Sequence, residues 1–434
     1  MSQPTVTSKT SASMGTQLFV SLLVLLVFWG LDGFLRAKAH QKPPSLVRHG
    51  RRLTDEEMNL ARAARTYFLK NRQPSGWVSS AYDFPATTMW DLGSQLAGMM
   101  SMRELNLLSP AEFDTWTAQV LASLARIPLS QNELPNKVYN ARTLEPVGYG
   151  QLSPRRELGF SGVDLGRLLR WLDILASRHP QHAPAVKTAL ARWKCERLAR
   201  DGQLMGTELR NGAAEWNQEG RLGYEQYSAY GVKQLGVDVS RSLNPNTFRQ
   251  EAQVSGVTLS VDSRSREDSV AHNYVTSEPY ILDGMESGFR AIPLAYAQAV
   301  LQAQRVRSEE TGQLTAWSED NIDHAPWFVY NNLYLNGKTW ASIDSSGNDA
   351  FADRGSSTKA ALAWYALFDT PFTVLFYQGF RWLSDPERGV QAGYYERTQR
   401  PNQALTLNTN GIVLEALLYA RVGQPLEVWA RTRR

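Results

Sequence analysis

The chain has 434 residues, 43% hydrophobic and 20% charged, which is the balance of a folded protein with room for a large core. Forty-six Lys and Arg stand against 42 Asp and Glu, and a net charge of +4 on this length carries no signature of nucleic-acid binding. The single cysteine, Cys195, excludes an internal disulfide or a multi-cysteine metal site, and the six histidines show no HExxH or other ligand spacing, so no metal or cofactor is expected.

Residues 1–16 are polar, with Lys9 the only charged side chain, and residues 18–31 then read LFVSLLVLLVFWGL. That run is at the short end for a spanning helix and also fits a signal h-region. Ala37-Lys38-Ala39 matches a small-x-small cleavage pattern. The basic residues around and after it (Arg36, Lys38, Lys42, Arg48, Arg51, Arg52) form a flank that prefers the cytoplasm. These signals conflict. The expectation is export, with residues 1–39 as a signal peptide or a signal anchor touching the membrane through residues 18–35. The remainder is then periplasmic or otherwise extracytoplasmic, with residues 40–52 as a basic linker and 53–434 as the folded domain.

The domain opens with Thr54-Asp55-Glu56-Glu57, a capping box, and Leu53 with Met58 fits a hydrophobic staple. This helix runs to about residue 70, where Pro74-Ser75-Gly76 breaks it. An aromatic loop with Trp77, Tyr82 and Phe84 leads to Thr88-Met89-Trp90-Asp91, which opens a helix to about residue 105. Ser109-Pro110-Ala111-Glu112 opens the next, with Phe113, Trp116, Val120, Leu121 and Leu124 on its apolar face. Residues 128–160 read as a long loop. Ser161-Gly162-Val163-Asp164 then starts a helix carrying Leu165, Leu168, Leu169, Leu172 and Leu175 on one face. Another helix is predicted over about 183–200, holding Cys195 as an inert packed thiol.

The stretch from Glu219 to Tyr230 stands apart. Tyr224, Tyr227 and Tyr230 recur every three residues and share one side of a helix predicted to run to about Gly236. Their rings bring hydroxyls where an ordinary stripe would use Leu or Val. Glu225 sits among them, where a carboxyl pKa can rise. That combination suits a sugar site. The competing interpretation is a packed helix start, with Glu225 favoured by the macrodipole or paired with Arg221.

Beyond it, Val257, Leu259 and Val261 alternate as in a short strand. Ser277-Glu278-Pro279-Tyr280 leads into helical sequence to about residue 306, and residues 311–350 read as loop and short strand dense in Trp, Tyr, Asn and Asp. Helices are predicted over 358–368 and 372–382, a loop holds Gly393-Tyr394-Tyr395-Glu396, and a last helix starts near Asn408. Eleven or twelve paired helices with no repeat of 20–50 residues argue against a simple solenoid. The long loops are too aromatic for disorder and fall just before helices with acidic first turns.

Taken in order, Thr88-Met89-Trp90-Asp91-Leu92-Gly93, the segment from Ser161 to Leu169 and the segment from Glu219 to Tyr227 resemble a bacterial exported family catalogued as domain of unknown function 3131. Glu278-Pro279, the segment from Thr311 to Ala316, Phe328-Val329-Tyr330-Asn331, Ser357-Thr358-Lys359-Ala360 and Asn408-Thr409-Asn410 extend the match over most of residues 54–423. That family is related to glucoamylase-like proteins. The resemblance implies an (α/α)6 toroid of helical hairpins with a loop-lined groove at one end. It also implies the handling of an extracellular polysaccharide or oligosaccharide. It supplies no reaction.

Glycoside hydrolysis needs two carboxyl groups across the scissile bond. Glu225 is the expected general acid and Asp91 the expected base or nucleophile. Glu319, in Trp317-Ser318-Glu319-Asp320, and Glu396 are further catalytic candidates. Asp164 reads as a capping acid, Glu278 as a loop-orienting residue and Glu415 as structural. Trp90, Arg221, Tyr224, Tyr227, Trp317, Trp327 and Tyr395 are expected to bind substrate, with Trp77 as a further stacking ring. Arg264 and Arg266 are expected to pair with Asp262 and Glu267. Two rivals to a hydrolase stay open. One is a non-catalytic glycan-binding accessory protein of exopolysaccharide biosynthesis or export. The other is a polysaccharide lyase using His272-Asn273-Tyr274 and Arg264.

Overall fold

Thr54 accepts the Glu57 amide through its side chain while the Glu57 carboxylate takes the Thr54 amide, so the first helix, α1 (Asp55–Asn71), starts with the box its spacing predicts. Twelve more helices follow among the residues that the computed structural model describes, which are 44–153, 156–269 and 271–432. They are α2 (Met89–Glu104), α3 (Pro110–Arg126), α4 (Gly162–Arg178), α5 (Ala183–Leu190), α6 (Tyr224–Lys233) and α7 (Ser240–Leu243). After these come α8 (Glu278–Ser287), α9 (Leu294–Thr311), α10 (Thr358–Leu367), α11 (Pro371–Phe380), α12 (Leu407–Val422) and α13 (Leu426–Arg431). The described residues fall within one compact unit, Pro43–Arg434. None of the described helices is long and apolar enough to cross a membrane, and the expected signal or anchor over residues 1–39 lies outside the described residues.

Alternate helices close a ring. Helix α2 packs on α4, α4 on α6, α6 on α8, α8 on α10, α10 on α12, and α12 returns to α2. Helices α1, α3, α5, α9 and α11 lie outside as the second members of the hairpins, with α1 against α12, α3 against α5 and α11 against α10. The inner helices are enclosed on nearly every side: all ten residues of α8 are buried, as are nine of ten in α10. Such helices need no polar face, which is why α2 and α12 show no clean stripe in the sequence. Close approach within the ring rests on small residues. A Cβ at Gly231 of α6 would overlap the Gly166 carbonyl oxygen of α4, and one at Gly166 would overlap the Ser228 carbonyl oxygen.

Several elements differ from expectation. The helix predicted over 183–200 stops at Leu190, because the chain turns at Trp193 and the Lys194 amide donates to the Glu133 carbonyl of a distant loop. Cys195 therefore lies on a half-buried 3-10 turn, and burial pushes its thiol up to about 11. The helical run predicted over 277–306 is two helices, separated at Gly288 (φ +71°). The Asp283 carboxylate spans that break by accepting the Ala291 and Ile292 amides. Residues 128–160 are not all loop: 86–88 pair with 138–140, and 129–130 with 134–135. Four larger antiparallel units are present among the described residues: a sheet of 199–200, 203–210 and 213–218, a hairpin of 249–254 with 257–262, a sheet of 319–321, 328–335 and 338–344, and a sheet in which 389–395, expected as loop around Tyr394-Tyr395, pairs with 355–357, 384–385 and 401–405.

Candidate active site

The inner helices begin at one end, and side chains near their N-termini interlock there. The Trp90 indole N–H and the Asn408 amide both donate to Glu278 Oε1 at 2.9 Å. Lys359 Nζ lies 2.7 Å from Glu278 Oε2 and 3.2 Å from Asp320 Oδ1. Against the cost of burial, the charges of Asp320 and Glu278 keep the Lys359 ammonium firmly protonated. Trp90 meets Tyr224 at 5.7 Å between ring centroids, and Tyr224 and Trp90 are both half-buried. These groups form the floor of the site.

Helix α4 brings its first turn to the same place. Ser161 accepts the Asp164 amide and donates its hydroxyl to Glu219 Oε2 at 2.8 Å, while the Val163 amide donates to the same oxygen at 3.2 Å. Lys137 lies 3.9 Å from the other Glu219 oxygen. The Asp164 carboxyl remains half-buried and is held up to about 8, by burial first and then by the negative charge of Glu219, with Asp91 adding to it.

Asp91, 9% exposed, accepts the Ser80 hydroxyl at 2.5 Å and the Thr88 hydroxyl at 2.6 Å, both on Oδ2. Burial raises its pKa against those two donors, and the charge of Glu278 adds to the rise. Burial also holds Glu319 up to about 7 and Asp320 up to about 6, with Lys359 opposing in both cases.

Loops and the strand 328–335 wall the site. Tyr274 stacks on Tyr330 at 4.9 Å with planes 4° apart, and Phe328 meets Tyr330 edge-on. The hydroxyl of Tyr149 is raised well above its usual range by burial and then by the charges of Asp164, Glu219 and Asp91. The residue as a whole is nonetheless 60% exposed. Trp327 stands further out, 62% exposed at φ +71°, a region that bulky residues rarely adopt. Its carbonyl is pinned by the Ile322 amide at 3.1 Å and the Asn321 side chain at 3.2 Å.

Other expected site residues lie elsewhere. Glu225 is 1% exposed and sits between Arg264 and the Ser242 hydroxyl, each at 2.5 Å. Burial pushes its pKa up against the pull of Arg264. Its partner is Arg264 and not Arg221, whose guanidinium donates to Gln218 and to the carbonyls of Gly220 and Ser265. Arg264 also holds Asp262 at 2.7 Å, whereas Arg266 reaches the Ser346 carbonyl at 3.3 Å. Glu396 is enclosed by Arg307, Arg354 and the Trp317 indole N–H. Trp317, Tyr227 and Trp77 are fully buried, and a fully buried ring offers no face to a sugar. Tyr227 instead joins a salt cluster deeper in the ring, donating to Glu286, which also holds Arg167 and Arg170. Glu415 belongs to the same cluster through Arg167 at 3.2 Å. Tyr395 donates its hydroxyl to Asp323 at 2.6 Å and braces the loop that carries Trp327.

The hydrolase expected from the sequence draws on none of Glu219, Lys137, Lys359, Tyr149, Tyr274 and Tyr330. Lys359 had a signal, because it follows the Ser357-Thr358 helix start inside a matched segment.

The family model described as "Protein of unknown function (DUF3131)" matches residues 59–423. No curated protein matches the chain significantly. Among solved structures, a putative glucoamylase from Bacteroides caccae superposes with a TM-score of 0.62 at 10% identity, covering 87% of this chain and 95% of that one. An endo-β-1,2-glucanase from Chitinophaga pinensis, in complex with sophorotriose and glucose, gives 0.60 at 12% identity, covering 88% and 95%. An endo-β-1,2-glucanase from Talaromyces funiculosus with sophorose gives 0.57 at 12%, covering 86% and 85%. At these identities the likeness establishes the glucoamylase-like toroid fold.

Proposed function

The chain belongs to the DUF3131 family, and from that footing we propose that it is a glycoside hydrolase acting on a polysaccharide bound across the loop-lined end of the toroid. One observation carries the proposal: Asp164 stands in the first turn of α4, the turn that the Glu219 carboxylate grips through Ser161 and Val163, in a site walled by aromatic rings, and burial with the charges of Glu219 and Asp91 holds its carboxyl up to about 8. In this scheme Asp164 protonates the leaving glycosidic oxygen as the bond to the anomeric carbon breaks. Asp91, whose Oδ1 takes neither the Ser80 nor the Thr88 hydroxyl, is the second carboxylate: it accepts the proton of the attacking water or attacks the anomeric carbon itself. Glu219 is a positioning residue that fixes the start of α4 and keeps the proton on Asp164. Glu319 is less suited to the acid role because it is only 6% exposed. Trp90, Tyr224 and Trp327 supply the stacking surface.

The sophorose and sophorotriose complexes of the fold neighbours support a saccharide as the ligand. The lyase alternative needs a free cation for a uronate carboxylate, and Arg264 is already committed to Asp262 and Glu225. The apolar run over 18–31 supports a position outside the cytoplasmic membrane, which a periplasm-dependent reporter fused after residue 434 checks. The test of function is incubation of the protein with a panel of bacterial glycans. New reducing ends from the wild type and none from Asp164→Asn are expected. Products absorbing in the ultraviolet would indicate a lyase, and no product from any glycan would remove the hydrolase assignment.

A further inference from the structure

Six carboxyl groups converge on the candidate site: Asp91, Asp164, Glu219, Glu278, Glu319 and Asp320. Two ammonium groups stand among them, and both are engaged. Lys359 lies against Glu278 and Asp320, and Lys137 against Glu219. Two neighbouring arginines are closed off. Arg264 is held by Asp262 and Glu225, and Arg221 by Gln218 and two backbone carbonyls. Arg266, exposed at the edge near Tyr274, donates to the Ser346 carbonyl, a neutral partner that leaves its charge open at the rim. Even with Asp164 protonated and Glu319 partly so, the described carboxylates outnumber the two ammonium groups where a sugar would lie on the floor formed by Trp90 and Tyr224.

From this charge balance we propose that the site selects a glycan whose residues bear no anionic group, neutral or amino-substituted, and rejects uronic acids. The inference rests on the saccharide site proposed above and adds its substrate class. A sugar carboxylate over the Glu278–Lys359–Asp320 floor would meet like charge, and the described ammonium groups there, Lys359 and Lys137, are already paired. A hydroxyl or ammonium in the same place can donate to Asp91, Glu219 and Asp320. The aromatic rings add affinity for any pyranose face and do not discriminate by charge.

The test is affinity electrophoresis of the full-length chain in non-ionic detergent, through native gels containing a neutral glucan, glycol chitosan or polygalacturonate. Asp164→Asn is run beside the wild type so that polymer breakdown does not obscure binding. Retardation by the neutral or amino polymer at least about tenfold stronger than by polygalacturonate is expected. The paired substitution Asp91→Asn with Glu219→Gln should narrow that gap by admitting the uronate. Polygalacturonate retarding the wild type as strongly as the neutral glucan would overturn the proposal, as would a gap unchanged in the double variant. Selective retardation without any new reducing ends would leave this inference standing while removing the hydrolase. No retardation in any gel would remove both.

Discussion

Arg264 Nη2 lies 2.5 Å from Glu225 Oε2 in a pocket where Glu225 is 1% exposed. The same guanidinium grips Asp262, whose Oδ2 accepts the Leu222 amide just ahead of α6. The acid that stands out most in the sequence thus ties the start of an inner helix to the 249–262 hairpin. Glu225→Gln removes a buried charge and leaves Arg264 short of its partner. A loss of about 3–5 kcal/mol is expected, read as a lower urea midpoint. An unchanged midpoint would show that the pair is not structural.

Trp327 is exposed and strained in backbone, and its ring is not part of the buried core. Trp327→Ala should leave the melting temperature within about 1 °C, because little packing is lost. It should raise KM for a long glycan by about 2–10-fold with kcat unchanged, the weight of one aromatic contact. A fall in kcat with KM unchanged would place the ring in the chemistry instead.

Asp164 carries a stability cost at neutral pH. Its folded pKa, about 8, lies above that of an exposed aspartate. The folded state therefore binds the proton more tightly, so its contribution to stability is full below the unfolded pKa and is lost as pH rises through the folded one. Asp164→Asn abolishes that penalty and should stabilise the protein by about 1–2 kcal/mol at pH 8, with a smaller gain near pH 4. A gain independent of pH would contradict the raised pKa.

Much of the frame was legible because outer helices and helix starts obey local rules. Thr54 with Glu57 forms the capping box its spacing predicts, α3 opens at Ser109-Pro110 as expected, and the Leu165–Leu175 stripe of α4 is buried as expected. The site was harder to read. Asp91, Asp164 and Glu225 each follow a helix start by a similar offset, yet one is edged by hydroxyls, one holds a proton and one is locked to Arg264. What separates them is the charge brought from elsewhere in the chain: Glu219 for Asp164, Arg264 for Glu225. Burial hid the rest. Trp317 and Trp327 lie ten residues apart, and only packing decides that the first fills the core beside Glu396 while the second faces solvent.

The most direct measurement is the pH dependence of kcat/KM on whichever glycan yields reducing ends, with Asp164→Asn run in parallel. The wild-type rate should fall as pH rises through about 8, where Asp164 loses the proton it must donate. The variant should be about 10²–10⁴-fold slower at neutral pH and should lack that alkaline limb, while remaining folded. Wild-type turnover in Asp164→Asn, or the same alkaline limb in both proteins, would contradict the assignment of Asp164 as the acid.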